Sequence, residues 1–243
     1  MPEEPEKIAA LIKSLNHRDK KVIRQAADGL ISMAGAMPQV VESLRAVLEK
    51  SPVEKRWPIA YVLAHVSPLS TPCLDVLMDA LDIGDPDIRW AVALLLVRLA
   101  KKSAPGVITH LVDLVKSGRP TQRRMAVYCL RDIGAQDPLS RQALLDALSD
   151  PDPLVRVATV TSLKALPEIG RDALGRLLQL VSKDADSRVR ASAAFALAHL
   201  GAPTDEVLQT LKDASRSPDP NLIKAARAAL ALLEKRGPAH SAQ

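Results

Sequence analysis

Basic side chains with a regular spacing are the residues of this sequence that suggest chemistry most directly. An arginine, replaced by a lysine in the last copy, returns at Arg24, Arg56, Arg89, Arg123, Arg156, Arg190 and Lys224. The intervals between them, by subtraction, are 32, 33, 34, 33, 34 and 34 residues. Such a ladder of cations could bind phosphate groups, or its members could pair with carboxylates inside the protein.

Carboxylates at a fixed distance favour the second interpretation. An acidic residue stands four positions before three of the arginines, in the pairs Asp85–Arg89, Asp152–Arg156 and Asp186–Arg190. An aspartate in a turn and an arginine one helical turn later can bridge to each other or to the turn of the next repeat. We therefore expect the recurring arginine to have a structural role.

The residue types that usually carry catalysis or bind metals show no catalytic spacing. The five histidines are His17, His65, His110, His199 and His240, and none belongs to an HxxxH or HExxH motif or to a His–Glu pair. The sequence contains no GxSxG, P-loop or GxGxxG motif. The two cysteines, Cys73 and Cys129, match neither a zinc site nor a disulfide framework. We predict no catalytic residue, no metal and no cofactor, and hence no enzyme.

All five aromatic residues fall at two positions relative to the recurring basic residue. Trp57 and Trp90 follow it by one residue, and Tyr61, Tyr128 and Phe195 follow it by five. Positions +1 and +5 lie on one face of a helix, whereas the apolar stripe runs through −1, +3 and +7. Two residues at ~100° each separate these faces by roughly 200°. The aromatic rings are therefore expected to point away from the buried side of their helices.

The elements that position these side chains are predicted to be pairs of helices. Five copies keep a leucine seven residues after the arginine, at Leu63, Leu96, Leu130, Leu163 and Leu197. Short turns rich in Pro and Asp precede such helices at 84–87, 149–153 and 217–220, and glycines at Gly35, Gly134 and Gly201 are expected to end three of them. The first and last copies fit this register only with an ambiguity of one residue. We predict repeats at about 3–35, 36–68, 69–103, 104–136, 137–169, 170–202 and 203–236, followed by a disordered tail at 237–243.

Composition agrees with an all-α stack of such pairs. Hydrophobic residues make up 47% of the 243 residues but aromatic residues only 2%, so the core must consist of Leu, Ala, Val and Ile. A period of 33 to 34 residues indicates an α-solenoid rather than one globular core. The net charge of +5 raises the chance of an acidic partner only slightly. Without a recognisable signal peptide or membrane span, we expect a cytoplasmic and monomeric protein.

The repeat resembles that of the HEAT-repeat family, particularly its short prokaryotic form, as in bilin lyase-like proteins. The resemblance depends on the pattern Asp–x–x–Val–Arg–x–x–Ala–Ala–x–Ala–Leu, clearest at 186–197, and it covers nearly the whole chain. It implies an inter-repeat Arg–Asp ladder and a concave surface lined by the second helix of each pair. Repeat 2 departs most, since Pro58 follows its arginine by two residues and should delay or bend that helix.

The concave surface is where we predict binding. Extending the aromatic face to positions +8 and +9 adds several polar side chains. The predicted groove residues are Trp57, Tyr61, His65, Trp90, Arg98, Arg124, Tyr128, Arg131, Phe195 and His199. Trp, Tyr and Arg dominate binding hot spots, and we expect Trp90 to contribute most. The alternative is that these rings only pack against neighbouring helices.

Three functions fit these observations. The leading hypothesis is a non-enzymatic scaffold that holds a segment of another protein, with acidic residues, in the groove. Nucleic-acid binding on a basic concave face, as in HEAT-like DNA glycosylases, is less well supported by a charge of +5. A role like that of the bilin lyase-type proteins is supported only by the shared repeat. HEAT-like metal hydroxylases carry repeated His–Glu pairs, which are absent from this sequence.

Overall fold

The computed structural model describes residues 4–102, 104, 106–134, 137–200 and 203–236. Within these ranges the backbone forms fifteen α-helices, two 3-10 turns and no strand. The helices follow one another in pairs, as the period of the sequence predicts. The all-α, α-solenoid fold class is thus confirmed.

Each pair consists of a first helix (A) and a second helix (B). The A helices are α1 (Glu4–Ser14), α3 (Gln39–Lys50), α5 (Thr71–Ala80), α7 (Val107–Ser117), α9 (Pro138–Asp146), the short α11 (Pro167–Asp172) continued by α12 (Leu174–Lys183), and α14 (Asp205–Ala214). The B helices are α2 (Lys20–Ala34), α4 (Trp57–Val66), α6 (Pro86–Lys101), α8 (Pro120–Ile133), α10 (Pro153–Lys164), α13 (Ser187–Leu200) and α15 (Pro220–Arg236). The 3-10 turns are Val53–Lys55 and Ala147–Ser149.

The chain divides into two compact units, residues 1–107 and 108–243. In the first unit α4 packs against α2, and α5 packs against both α4 and α6. In the second unit α10 packs against α8 and α13, and α13 packs against α15. The prediction of a single solenoid over residues 1–236, with the repeat boundaries given above, stays a prediction. The predicted tail at 237–243 lies outside the described residues.

Aliphatic side chains fill the core, as the composition requires. The five leucines predicted at position +7 are all buried, none more than 1% exposed. Removing such side chains from water is the main stabilising term of a helical stack, at roughly 1.5–3 kcal/mol for each fully buried leucine. The core therefore fixes the rotation of each B helix, and with it the face that points away from the A helices.

Aspartates begin most B helices and settle the register of the repeat. The side chains of Asp19, Asp85 and Asp152 each accept a hydrogen bond from the backbone N–H two residues later, at 2.7–2.9 Å. Such N-caps satisfy backbone donors that have no partner within the helix. The recurring arginine stands four residues after this cap in the middle repeats, as Arg156 follows Asp152.

The caps correct the register of the two terminal repeats. Four residues after Asp19 stands Ile23, and four residues after the cap Asp219 stands Ile223. The basic residues of these repeats therefore lie one position beyond the ladder position. Arg24 and Lys224 are accordingly exposed, and the structure resolves the one-residue ambiguity of the sequence.

Repeat 2 departs from the others where the sequence predicts it. Its B helix, α4, begins only at Trp57, one residue after the recurring Arg56, whereas α6 begins three residues before Arg89. A 3-10 turn at Val53–Lys55 replaces the missing helical turn, because Pro58 disfavours a helix that extends further towards the N-terminus. As a result α4 has ten residues, fewer than α2 or α6.

The glycines predicted to end helices differ in conformation. Gly134 ends α8 with φ 114° and ψ 175°, a region that only glycine adopts without strain. Gly35 directly follows the last residue of α2, as predicted, but it has an ordinary right-handed helical conformation at φ −64°. Gly201 lies outside the described residues.

Candidate functional site

The recurring arginines of the second unit bind carboxylates of the following repeat. Arg123 donates from Nε and Nη2 to the two oxygens of Asp150, at 2.7 and 2.8 Å. Arg156 holds Asp184 in the same bidentate way, with both distances 2.8 Å. Arg190 donates from Nη2 to Asp219 at 2.8 Å. These three ion pairs form the inter-repeat ladder that the family resemblance implies.

The same arginines also donate hydrogen bonds to carbonyl groups of the turns that precede their own helices. Nη1 of Arg156 donates to the carbonyl of Asp150 at 2.7 Å, and Nη1 of Arg190 donates to the carbonyl of Asp184 at 2.7 Å. The hydrogen bonds that Arg156 donates to Asp184 raise the pKa of Arg156 above its usual value. These three guanidinium groups are thus occupied by contacts within the protein. They therefore do not support the interpretation of the arginines as a phosphate-binding ladder.

The acidic residues four positions before the arginines cap helices and are not the ion-pair partners of those arginines. Asp152 and Asp186 cap their own helices, since each accepts a hydrogen bond from a backbone N–H two residues later. Asp186 also pairs with Arg188, which lowers the pKa of Asp186 to about 2. Asp85, which caps α6, pairs with Lys20 at 2.8 Å. The partners of the ladder arginines lie one repeat further along the chain.

The first unit lacks such pairs at its own ladder positions. Arg56 donates from Nε to the carbonyl of Ser51 at 2.8 Å. Arg89 donates from Nη1 to the carbonyls of Ile83 and Gly84, and its buried Nε has no hydrogen-bond partner among the described residues. The Asp85–Arg89 pair predicted as part of the ladder is therefore not an ion pair within α6.

A groove of about 710 Å³ opens on the B helices of the first unit. Helix α4 forms its floor with Trp57, Pro58, Tyr61 and His65, and α2 and α6 form its walls. The apolar wall residues are Ile23 and Ala27 of α2 and Ile88, Ala91, Leu94 and Leu95 of α6. A volume of this size accommodates several side chains of a bound segment.

The aromatic and imidazole rings on the floor are held in place by their own helix. Tyr61 and His65 lie one turn apart with ring centroids 4.6 Å from each other. Nδ1 of His65 lies 2.8 Å from the carbonyl oxygen of Tyr61. Because a carbonyl only accepts hydrogen bonds, Nδ1 carries the proton and donates it there. Burial lowers the pKa of His65, and the nearby Arg98 lowers it further against the opposing effect of the Tyr61 carbonyl.

Charged side chains surround this apolar floor, and most of them are paired. Lys20 bridges from α2 to α6, with its Nζ 2.8 Å from Asp85 and 2.6 Å from Asp87. Arg24 and Asp28 face each other loosely at 4.0 Å. The guanidinium of Arg98, on α6, makes no hydrogen bond or ion pair with any residue that the structure describes. It is one of the groove cations that a ligand could use.

The structure brings four of the predicted groove residues together and separates the others from them. Trp57, Tyr61, His65 and Arg98 line the groove. Trp90 is 41% exposed on α6, but its side chain does not line this cavity. Trp90 therefore lies on the predicted face without belonging to the groove floor.

The remaining predicted residues lie on helices of the second unit. Arg131 stands over the ring of Tyr128 at 5.2 Å and pairs with Asp132 at 2.7 Å. Phe195 and His199 repeat the ring contact of the first unit, with centroids 4.5 Å apart and Nδ1 2.9 Å from the Phe195 carbonyl oxygen. Lys164 lies 4.6 Å above the Phe195 ring. Arg124 is half-buried at the first position of the face on α8.

Known proteins share this architecture and part of its sequence pattern. The family model described as HEAT repeats matches residues 141–231, the part of the second unit that contains the Arg156 and Arg190 ladder pairs. This segment of the chain thus has the sequence pattern of HEAT repeats. No curated protein matches the chain significantly.

Solved structures show the same HEAT fold at low sequence identity. Kap121p bound to the extreme C-terminus of the protein phosphatase Cdc14p is 15% identical, with a TM-score of 0.63, over 94% of this chain and 30% of Kap121p. Kap121p bound to Nup53p gives the same identity and score, over 94% and 29% of the two chains. Human deoxyhypusine hydroxylase is 17% identical over 94% of this chain and 84% of its own, with a TM-score of 0.45. The chain spans less than a third of Kap121p.

Several groove residues of α2 and α6 were not predicted from the sequence. Arg24 and Asp28 take positions +1 and +5 of repeat 1 once the cap Asp19 sets the register. Leu94 takes position +5 of repeat 3, where an aromatic residue was the criterion, and 62% of it is exposed. The spacing from Arg89 therefore placed Leu94 on the predicted face, although Leu94 is aliphatic and the face was defined by aromatic residues.

The two cysteines, Cys73 and Cys129, are buried. Burial raises the pKa of the Cys129 thiol to about 12, so it stays protonated and unreactive near neutral pH. Within the described ranges, no group of three or more His, Cys, Asp or Glu side chains is placed to hold a metal ion. None of the described helices is both long enough and apolar enough to cross a membrane.

Proposed function

We propose that the protein is a non-enzymatic scaffold and that the groove between α2, α4 and α6 holds a segment of a partner protein. The observation that carries the proposal is the exposed apolar wall beside an unpaired cation. Leu94 is 62% exposed within a concave site, and Arg98 stands one helical turn further along the same face of α6. An apolar anchor next to a charged group is the usual composition of a protein-binding hot spot.

Charge complementarity indicates the kind of segment that fits. Four basic side chains (Lys20, Lys21, Arg24 and Arg98) and two acidic ones (Asp28 and Asp87) line the groove. Since Lys20 is held by Asp85 and Asp87, the excess positive charge lies with the other three. We therefore propose a segment with an apolar side chain for the Trp57–Leu94 region and a carboxylate.

The fold suits this role. Kap121p, whose structure overlaps this chain, binds the extreme C-terminus of Cdc14p, so a helical stack of this type can hold a segment of another protein. The proposal includes no catalytic role for His65. Its Nδ1 donates to a backbone carbonyl, and no nucleophile or carboxylate among the described residues forms a hydrogen bond with its ring.

A peptide selection combined with a salt series tests the proposal. We expect the full chain to select 12-residue peptides that combine Leu, Ile or aromatic residues with Asp or Glu from a random displayed library. The affinity of the best peptide, measured by fluorescence anisotropy, should change less than about tenfold between 50 and 200 mM NaCl, since few ion pairs form. A labelled 20-base-pair duplex serves as the comparison.

Duplex binding gives the opposite salt dependence. A protein that contacts six to ten phosphates loses about 10³- to 10⁵-fold in affinity over that salt range. Tight, steeply salt-dependent duplex binding together with failure to select any peptide would contradict the scaffold proposal and favour nucleic-acid binding.

A further inference from the structure

An imidazole and a guanidinium lie together at one end of the groove. His65 is the last groove residue of α4, and Arg98 is the last groove residue of α6. The two groups interact electrostatically, because Arg98 disfavours the charged form of His65. They are placed where a bound segment would leave the apolar part of the groove.

Only one nitrogen of His65 can respond to a ligand. Nδ1 is committed to the Tyr61 carbonyl at 2.8 Å, and this hydrogen bond exists in both protonation states of the ring. In the neutral ring Nε2 is an acceptor, and in the charged ring it is a second donor. When His65 is neutral, Arg98 is the one hydrogen-bond donor that these two side chains offer to a ligand. When His65 is protonated, its Nε2 is a second donor.

The other charged groups around His65 largely cancel one another. From α2, Asp28 favours the charged imidazole and stands opposite Arg24 at 4.0 Å. From α6, Arg98 acts against the charged imidazole. From α4 itself, the neighbour is the neutral ring of Tyr61. Of the remaining groove charges, Lys20 pairs with Asp87, and Lys21 follows Lys20 at the start of α2.

We propose that Arg98 and His65 form a carboxylate-binding subsite, which holds an Asp or Glu side chain of the partner segment and takes up a proton at His65 as it does so. The proposal rests on the proposed function of the groove and names the chemistry of its ligand. Arg98 supplies a permanent donor, and the protonated Nε2 supplies a second donor to the same carboxylate. The subsite thereby links affinity to pH.

The direction of this linkage follows from charge. A bound carboxylate favours the protonated imidazole, so the pKa of His65 is higher in the complex than in the free protein. Affinity for an acidic segment therefore rises as the pH falls from about 7.5 towards the pKa of the free imidazole, which lies below its usual value of about 6.5. Below that pKa both states are protonated and the affinity levels off.

Two short peptides test the subsite without knowledge of the natural partner. The probes are the acetylated and amidated tripeptides Leu-Glu-Leu and Leu-Gln-Leu at millimolar concentration. The His65 titration is followed by NMR of the ring carbons in the full chain, assigned with His65→Gln. We expect the Glu peptide to raise the pKa of His65 by about one unit and the Gln peptide to leave it unchanged. With Arg98→Gln, the shift caused by the Glu peptide should fall to less than half.

His199 is a matched internal control, because its ring has the same contacts with the residue one turn before it. The chemical shifts of its ring should not change when either peptide is added. An unchanged His65 titration with both peptides, or an equal change with both, overturns the subsite. The proposed function would still stand if library peptides bind the groove, so the two failures can be told apart.

Discussion

Replacing Asp184 by alanine should lower the free energy of unfolding by about 3 kcal/mol, because breaking a buried ion pair leaves the other charge uncompensated. The Asp184 side chain is only 4% exposed and Arg156 only 14%, so water cannot replace the lost carboxylate. The substitution leaves a half-buried guanidinium without its partner and removes the bond from the Asp186 N–H. Urea denaturation followed by circular dichroism measures the change.

A second aspartate provides the control for this prediction. Asp172 also pairs with an arginine, Arg141, but their side chains are 44% and 37% exposed. Exposed pairs contribute about 0.2–1 kcal/mol, so Asp172→Ala should change stability by no more than that.

A double-mutant cycle that combines Asp184→Ala with Arg156→Ala isolates the interaction between Asp184 and Arg156. A coupling energy near zero would show that the ladder does not hold adjacent repeats together.

Leu94→Asp should weaken binding of the selected peptide about 100-fold while leaving the fold intact. Loss of a leucine contact surface costs roughly 1.5–3 kcal/mol, and a carboxylate beside Arg98 would also compete with an acidic ligand. Since Leu94 is 62% exposed, the substitution creates no cavity and should change stability by less than about 1 kcal/mol. Isothermal titration calorimetry gives the affinity, and thermal unfolding gives the stability.

Leu139→Asp is the matched variant outside the groove. Leu139 is 54% exposed on α9 in the second unit and should leave the affinity for the peptide unchanged. Equal loss of binding in both variants would indicate a general effect of charge rather than a groove. If the Leu94→Asp variant binds the peptide with full affinity, α6 does not form part of the binding site.

Periodicity was sufficient to predict the helix pairs and the rotation of the B helices. A buried leucine at a fixed distance from the arginine determines which face of a helix is free, and Trp57, Tyr61 and His65 accordingly share the groove floor. This inference is local, because the helix geometry alone relates residues one to nine positions apart. It needed no knowledge of how repeats pack.

Contacts between repeats could not be predicted in the same way. The Lys20 bridge joins residues 65 and 67 positions apart, in repeats 1 and 3, and depends on the short α4 between them. The partner of each ladder arginine depends on how far one repeat is offset from the next. For this reason Asp184 rather than Asp152 faces the guanidinium group of Arg156, and Asp219 rather than Asp186 faces that of Arg190.

Trp90 shows the limit of an argument from residue type. Trp90 is 41% exposed, but it does not line the cavity, which lies between α2 and α6 over the floor of α4. Whether a residue lines a groove depends on the curvature of neighbouring repeats as well as on its own position. The exposure of Leu94 and the lack of an ion-pair partner for the Arg98 guanidinium among the described residues both depend on how the helices pack. The spacing of residues in the sequence does not predict either of them.

The measurement that tests the central claim most directly is an NMR titration of Ile and Leu methyl groups with the selected peptide. If a partner segment occupies the groove, the methyl signals of Ile23, Ile88, Leu94 and Leu95 should shift in proportion to saturation. Leu139 and Leu154, exposed elsewhere, should not respond. Saturable shifts confined to methyl groups outside the groove, with those of Ile88 and Leu94 unchanged, would contradict the account.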